Sequence, residues 1–281
     1  MLLGYNTNGL AHHDLLDAIE LLAAIGYNSV AITIDHHALS PRDPRWLEQL
    51  DEVAAALRKH GMRSVIETGA RYLLNPVQKH EPTLVSPDAE ARIEFLQHAI
   101  DVAAALGSDC VSLWSGVLHD DSPDDVAWDR LSQGLTVVLA HADDRNVPLG
   151  FEPEPGMFVD GMSRYAELLD RVSAPRLQLT LDVGHLQCLG ETPITDQIRH
   201  WADRIVNVHF EDMRSGEHEH LMFGEGEIDF PPVIAALQEI GYVGGLHVEL
   251  SRHSHVGPYA AMASAKFLRP LVDAAGEDRT E

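Results

Sequence analysis

Short apolar runs alternate along the chain with longer segments in which apolar residues recur every three or four positions. The first pattern predicts buried β-strands and the second predicts amphipathic α-helices. Residues 29–35 form one apolar run, and residues 12–25 place Leu15 and Ile19 on one face before Gly26 ends the pattern. The alternation continues along the chain, which indicates repeated strand–helix units.

Eight such units can be assigned. The predicted strands are residues 2–6, 29–35, 64–68, 110–114, 149–152, 177–183, 205–211 and 245–249. The predicted helices are residues 12–25, 46–60, 86–107, 122–143, 163–172, 195–202, 231–240 and 259–274. No Gly/Ser-rich linker divides them, so we predict an α/β fold with a single (β/α)8 TIM barrel over residues 1–275 and a frayed tail at 276–281. A doubly wound sheet is the alternative fold.

The length and composition of the chain are typical of one globular domain. The chain has 281 residues and an apolar fraction of 45%, and α/β barrels run near 250 residues. No apolar run reaches the roughly 18 residues of a membrane span, and the N-terminus lacks a signal core, so we expect no membrane association. Cys110 and Cys188 form no pattern, which fits a reducing compartment and predicts a cytoplasmic protein.

The net charge of -24 argues against nucleic-acid partners, because a phosphate backbone would be repelled over most of the surface. The weak basic candidates are Arg71, Lys79 and His80, all in the polar segment 69–85. This segment is too long for a simple connection, so we expect a functional loop or a lid. Its basic side chains could bind a phosphate or carboxylate group of a small molecule.

Four predicted strands end in residues of the metal-ligand type. Glu152, Asp182, His209 and Glu249 lie at or just inside the ends of the fifth to eighth strands. In a barrel the C-terminal strand ends surround one mouth, where the active site lies. Charges that follow apolar strands are costly to bury unless they are paired or metal-bound. This oxygen-rich set therefore predicts a site for Mn²⁺, Mg²⁺, Co²⁺ or Zn²⁺.

At these residues the chain resembles the xylose isomerase-like, or sugar phosphate isomerase/epimerase-like, TIM-barrel superfamily. That group includes ketose 3-epimerases, hydroxypyruvate isomerase, inosose dehydratases and the endonuclease IV type of repair enzyme. The resemblance rests on five segments: GFEPEPG with Glu152, LDVGH with Asp182 and His185, VHFED with His209, GEGEID at 224–229, and HVELS with Glu249. It implies that Glu152, Asp182, His209 and Glu249 bind one divalent metal ion and that His185 contacts the substrate.

The resemblance also implies an activity. In isomerases of this group the metal polarises a carbonyl and stabilises an enediolate, and two glutamates, here Glu152 and Glu249, remove and return a proton. The expected substrate is a small keto-sugar, polyol or hydroxy-carbonyl compound. The alternatives are an inosose-type dehydratase at the same site, an endonuclease IV-like metal hydrolase and a non-catalytic, pathway-associated barrel. Homo-oligomers are common in the superfamily, but no interface can be assigned from the sequence.

Further side chains are candidates for substrate binding. They are Glu67 after the third strand, Arg71 in the long loop, Trp114 after the fourth strand, Glu154, Arg214 and His220. Trp114 would form an apolar wall, Glu154 would support Glu152 or bind substrate, and Arg214 resembles the substrate arginine of the epimerases. His218 and His220 could reach substrate or a second metal. Pro153–Gly156 departs from the motif that follows this glutamate in ketose 3-epimerases, which argues against that reaction.

Overall fold

The computed structural model of the chain describes residues 1–277, with side chains through Asp273. Its strands are β1 Leu2–Asn6, β2 Ser29–Thr33, β3 Arg63–Glu67, β4 Val111–Leu113, β5 Leu149–Phe151, β6 Leu177–Asp182, β7 Ile205–Phe210, β8 Asp212–Arg214, β9 Glu217–Leu221 and β10 Gly245–Val248. All except β8 and β9 pair in parallel and close into a barrel in the order β1-β10-β7-β6-β5-β4-β3-β2. The predicted TIM barrel is confirmed, and the doubly wound alternative is wrong.

Helices follow the barrel strands and cover the outside. They are α1 Leu15–Ile25, α2 Trp46–His60, α3 Glu90–Leu106, α4 Asp124–Arg145, α5 Met162–Arg171, α6 Val183–Leu189, α7 Ile194–His200, α8 Phe230–Glu239 and α9 Gly257–Glu277, with 3-10 turns at Thr7–Leu10 and Ser251–Val256. α9 includes the first two residues of the predicted tail, and residues 278–281 lie outside the described part. None of the described helices is long and apolar enough to cross a membrane.

The apolar pattern places the core where a barrel requires it. All five residues of β2 are buried, as expected for a strand covered by helices outside and by side chains inside the barrel. Ile19 and Leu22 pack the inner face of α1 into this core. α1 ends where Gly26 takes a φ of 98°, a left-handed conformation that glycine adopts without strain.

Polar side chains in the barrel interior form a series of hydrogen bonds that runs towards the C-terminal ends of the strands. Nε2 of His247 lies 2.8 Å from the Ser29 hydroxyl, and its Nδ1 lies 2.7 Å from Oδ1 of Asn207. The ring fills space that a Cβ at Gly4 would occupy. Nδ2 of Asn207 donates in turn to Glu67 at the end of β3. Every polar group in this series has a partner, so His247 is a hydrogen-bonded interior residue.

The structure corrects two local predictions. The segment at 212–227, to which no strand was assigned, contains the antiparallel hairpin β8–β9. Its β9 strand, EHEHL, is polar on both faces and so lacks the apolar alternation of a buried strand. The helix predicted from 86 begins at Glu90, because the Ser86 hydroxyl donates to Glu81 within the preceding loop and does not cap the helix.

Candidate metal centre

Four neighbouring barrel strands bring the predicted ligands together. Glu152 follows β5, Asp182 ends β6, His209 lies in β7 and Glu249 follows β10. One potential ligand atom from each residue lies within 4.8 Å of the other three. The Asp182 side chain is fully buried and Glu249 keeps only 16% of its side chain exposed. The strand order thus produces a compact set of three carboxylates and one imidazole.

The two ring nitrogens of His209 face different partners. Nε2 lies 2.9 Å from Oε1 of Glu67, while Nδ1 lies 3.0 Å from Glu152 Oε1 and 2.8 Å from Glu249 Oε2. A proton on Nε2 can be donated to Glu67, which leaves the Nδ1 lone pair directed at the carboxylates. Metal-bound histidines characteristically donate their other ring nitrogen to a carboxylate in this way.

The residues fit a divalent cation. Oδ1 of Asp182 accepts a hydrogen bond from the backbone N–H of His185, but its buried Oδ2 has no hydrogen-bond partner. A buried carboxylate oxygen without a partner is costly, and a cation would satisfy it. Carboxylate oxygens with one imidazole nitrogen suit the hard and borderline divalent ions.

Burial and mutual repulsion shift the ligand pKa values. Burial raises the pKa of Glu152 to about 8, the nearby His209 opposes this rise, and Glu249 and Asp182 add to it. Burial alone would lower the pKa of His209, but Glu152, Glu67 and Glu249 together raise it well above its ordinary value. Burial would raise the pKa values of Asp182 and Glu249 as well, but nearby histidines, chiefly His185 for Asp182 and His209 for Glu249, lower both.

A cavity of about 200 Å³ opens above these ligands. The predicted site residues that line it are Glu67, Arg71, Trp114, Glu152, Glu154, His185, His209, His220 and Glu249. Asp182, which is buried, does not line the cavity. Burial, and then the nearby Glu152, raise the pKa of Glu154 well above its ordinary value. The barrel mouth thus gathers nearly all of the predicted groups.

Arg214 is the predicted substrate-binding residue that the structure leaves outside the cavity. In β8, Asp212 and Met213 are buried, whereas Arg214 at the end of the strand is exposed. The Arg214 guanidinium donates to the carbonyl of Glu225 and lies 3.6 Å from Glu217. Its side chain stabilises the hairpin surface.

His185 occupies the first turn of α6, which begins directly after β6. Its Nδ1 lies 3.2 Å from the carbonyl of Pro153, and its Nε2 lies 3.2 Å from Nε2 of His218. Burial lowers the pKa of His185 to about 4, although Asp182 opposes this shift. The imidazole is therefore neutral at pH 7. His185, His218 and His220 also form a second group with ring nitrogens within 4.8 Å of one another.

Two residues beside the ligands, Glu211 and Asn8, were not predicted from the sequence. Glu211 is completely buried, and burial followed by the Asp182 carboxylate raises its pKa well above the ordinary value. Both of its carboxyl oxygens, like Oδ2 of Asp182, are buried without a hydrogen-bond partner. Asn8, in the 3-10 turn after β1, donates from Nδ2 to Glu249 at 2.7 Å. Glu211 could have been found from its position two residues after His209, on the same side of the chain, whereas Asn8 carries no local signal.

Arg92 of α3 anchors the long loop at 69–85 through hydrogen bonds. The Arg92 guanidinium donates to the carbonyls of Thr68, His80 and Pro82 and lies 4.9 Å from the centre of the Trp114 ring. Only 2% of Arg92 is exposed. The loop is thus attached to the rigid helix layer while it supplies side chains to the cavity.

Comparison with known proteins agrees with this geometry. An inosose dehydratase from Lacticaseibacillus casei is 29% identical over 209 residues, which cover 64% of this chain and 70% of the relative. L-ribulose-5-phosphate 3-epimerase UlaE from Escherichia coli (strain ATCC 8739) is 25% identical over 258 residues and covers 89% of this chain and 87% of the relative. The crystal structure of a D-tagatose 3-epimerase-like protein superposes with a TM-score of 0.80 at 20% identity over the full length of both chains. The model of the xylose isomerase-like TIM barrel family matches residues 19–271, and the chain belongs to that family.

Proposed function

We propose that the protein is a divalent-metal-dependent isomerase or epimerase of a small keto-sugar or related hydroxy-carbonyl compound. The observation that carries the proposal is the convergence of Glu152, Asp182, His209 and Glu249 around one point at the barrel mouth. The epimerase relative, similar over most of both chains, supports the same reaction class. The oxygen-rich ligand set is compatible with Mn²⁺, Mg²⁺, Co²⁺ or Zn²⁺ and does not select among them.

Glu152 and Glu249 are the proposed proton-transfer groups. They follow β5 and β10, which are separated in the barrel by β6 and β7, so their carboxylates reach the cavity from different directions. This arrangement allows one glutamate to remove the proton α to a carbonyl and the other to return a proton to the opposite face. A bound divalent cation would polarise that carbonyl and stabilise the negative charge that develops on it.

Other side chains would orient the substrate. Neutral His185 can form a hydrogen bond with a substrate hydroxyl group, and the Glu154 carboxyl group, whose pKa is raised by burial, faces the same cavity. Trp114 offers an apolar ring face at the cavity wall, and Arg71 offers donors from the long loop. Arg214 has no part in this proposal, because its guanidinium is engaged on the hairpin surface.

Solvent deuterium incorporation tests the proposal. The metal-loaded protein is incubated in D₂O with a panel of ketotrioses, ketopentoses and ketohexoses, and the products are analysed by mass spectrometry and proton NMR. An epimerase or isomerase replaces one hydrogen with deuterium at the carbon next to the carbonyl, and the formula of the substrate is otherwise unchanged. No exchange with any compound of the panel would remove the main support for the proposal.

A dehydratase is the second candidate, favoured by the similarity to the inosose dehydratase and by the Pro-Glu-Pro-Gly segment after Glu152. The same residues would remove the same proton, but a hydroxyl group would then leave as water. Inosose is added to the panel, and a product lighter by one water molecule would identify this reaction. An endonuclease-like hydrolase fits less well, because the charge of -24 opposes a nucleic-acid substrate.

A further inference from the structure

The two carboxylate oxygens of Glu249 face different surroundings. Oε2 lies 2.8 Å from Nδ1 of His209, whereas Oε1 accepts a hydrogen bond of 2.7 Å from Nδ2 of Asn8. Asn8 belongs to the 3-10 turn after β1 and is not one of the candidate ligands. One oxygen of Glu249 is thus directed at the ligand set and the other at an amide outside it.

Nδ1 of His209 lies where the candidate ligands converge. Oε1 of Glu152 lies 3.0 Å from it and Oδ2 of Asp182 lies 3.8 Å from it, in addition to Oε2 of Glu249. Each carboxylate therefore turns one oxygen to the same region. The last side-chain torsion of a glutamate has little intrinsic preference, so the Asn8 hydrogen bond decides which oxygen of Glu249 is turned there.

The backbone of Asn8 is held on three sides. Its N–H donates to Oδ1 of Asn6 at the end of β1. Its carbonyl accepts hydrogen bonds from Arg71 of the long loop and from the Ser254 hydroxyl. These contacts use backbone atoms of Asn8, so they remain available when its side chain is replaced.

The Asn8 side chain forms one hydrogen bond among the described residues. Nδ2 donates to Glu249, and the buried Oδ1 has no hydrogen-bond partner. An ionised carboxylate only accepts hydrogen bonds, so the amide nitrogen is the atom that faces it. Only 9% of Asn8 is exposed, and a buried amide with an unused oxygen is unfavourable. The contact with Glu249 is therefore the role that the structure shows for this side chain.

We infer that Asn8 is a positioning residue, which holds the Glu249 carboxylate with Oε2 towards the ligand set and with Oε1 as the oxygen that exchanges a proton with the substrate. The proton-transfer part of the inference rests on the proposed function. Both residues line the cavity above the ligands, and Oε1 keeps a lone pair that Asn8 does not use. An O–H bond forms on Oε1 as the C–H bond next to the carbonyl breaks, and the electron pair passes to the carbonyl oxygen.

The visible absorption of Co²⁺-loaded protein tests the orientation of the carboxylate without any substrate. Asn8→Ala removes the amide donor, and Asn8→Leu does so while it keeps the volume of the side chain. When both oxygens of Glu249 are free to turn to the ion, its coordination number rises, and the cobalt bands lose intensity. We expect this loss in both variants and wild-type bands in Asn28→Ala, at an exposed position before β2. Wild-type bands in both Asn8 variants would overturn the inference.

Deuterium exchange with the ketose that responds best tests the proton transfer. At saturating metal, Asn8→Ala should lower kcat about 100-fold, the effect of a misplaced reacting group, and should leave KM within about 3-fold. Asn8→Gln keeps an amide donor and should recover part of the lost kcat, and Asn28→Ala should match the wild type. An unchanged kcat in Asn8→Ala, or a loss of metal affinity that accounts for the whole effect, would overturn the inference. Weakened cobalt bands in the Asn8 variants together with a wild type that exchanges no deuterium would contradict the proposed function alone.

Discussion

The Nε2 atom of His209 lies 2.9 Å from Oε1 of Glu67, which joins the end of β3 to β7 across the barrel. The contact orients the ring so that Nδ1 faces Glu152 and Glu249. Glu67 was predicted to bind substrate. The structure places it where it can select the tautomer of a candidate metal ligand, and Asn207 donates to the same oxygen at 3.3 Å.

Replacement of Glu67 should weaken metal binding. We expect Glu67→Ala to lower the affinity for the divalent ion about 10- to 100-fold, the usual cost of losing such a hydrogen-bond partner of a ligand. Glu67→Gln keeps an acceptor oxygen and should lose less metal affinity than Glu67→Ala. Affinities are measured by competition with a chromogenic chelator, with Glu52→Ala on the exposed face of α2 as control. Equal affinities in all three variants would show that the Glu67–His209 contact has no role in metal binding.

A methyl group at Gly184 should disturb the packing of buried Glu211. A Cβ at this position would overlap the carboxylate of buried Glu211 and lie 2.9 Å from Cε of Met213. We expect Gly184→Ala to destabilise the protein by about 1–3 kcal/mol, as overpacking of a core does. Urea unfolding measures this, and Gly69→Ala, whose Cβ would have its nearest neighbour at 3.7 Å, serves as the control. An unchanged unfolding midpoint in Gly184→Ala would count against the tight packing described for Glu211.

Loss of Arg92 should release the loop at 69–85. Arg92→Met removes the donor of three carbonyl groups, of which that of Thr68 is buried and those of His80 and Pro82 are half-buried, so we expect a destabilisation of at least about 1–3 kcal/mol, the cost of one buried group without a partner. The loop should also become sensitive to trypsin at Arg71 and Lys79. Arg45→Met, at a position with 76% of its side chain exposed, is the control. Cleavage at wild-type rates would show that Arg92 does not anchor the loop.

His80 should lower the free energy of unfolding of the protein in mild acid. Burial lowers its pKa to about 4, although a hydrogen bond to Gly69 opposes the shift, whereas an unfolded histidine titrates near about 6.5. Below that pH the unfolded chain binds a proton that the folded protein does not. The free energy of unfolding should therefore fall as the pH drops from about 6.5 to 4, by at most about 1.4 kcal/mol per pH unit for this group.

The measurement is chemical unfolding of chelator-treated protein across that pH range. His80→Asn should reduce the slope, and asparagine tolerates the positive φ of 69° found at this position. His12→Asn, at an exposed site, should leave the slope unchanged. An identical slope in wild type and His80→Asn would contradict the assignment.

Much of the fold could be predicted because its signals are local. Apolar runs and helical spacing marked the eight units, and glycines such as Gly26 marked helix ends. The ligand set followed from one topological fact, that the C-terminal ends of barrel strands meet at one mouth. Glu152 and Glu249 are 97 positions apart in the sequence, yet their strand-end positions sufficed to group them.

The remaining features depend on contacts that no local pattern encodes. The polar strand β9 carries no apolar alternation. The outward direction of Arg214 depends on the register of the hairpin, in which Arg214 pairs with Glu217. The turn after β1 approaches the long loop, where the carbonyl of Asn8 accepts a hydrogen bond from Arg71, and these two residues are 63 positions apart in the sequence.

Metal content measured together with deuterium exchange tests the central claim most directly. Protein loaded with Mn²⁺, Co²⁺ or Zn²⁺ and then desalted is analysed by plasma mass spectrometry, in parallel with exchange on the ketose that responds best. We predict one ion per chain in the wild type, its loss in Asp182→Asn and His209→Gln, and exchange that rises in proportion to the bound metal. Exchange that persists in chelator-treated protein, or full metal content in both variants, would contradict the account.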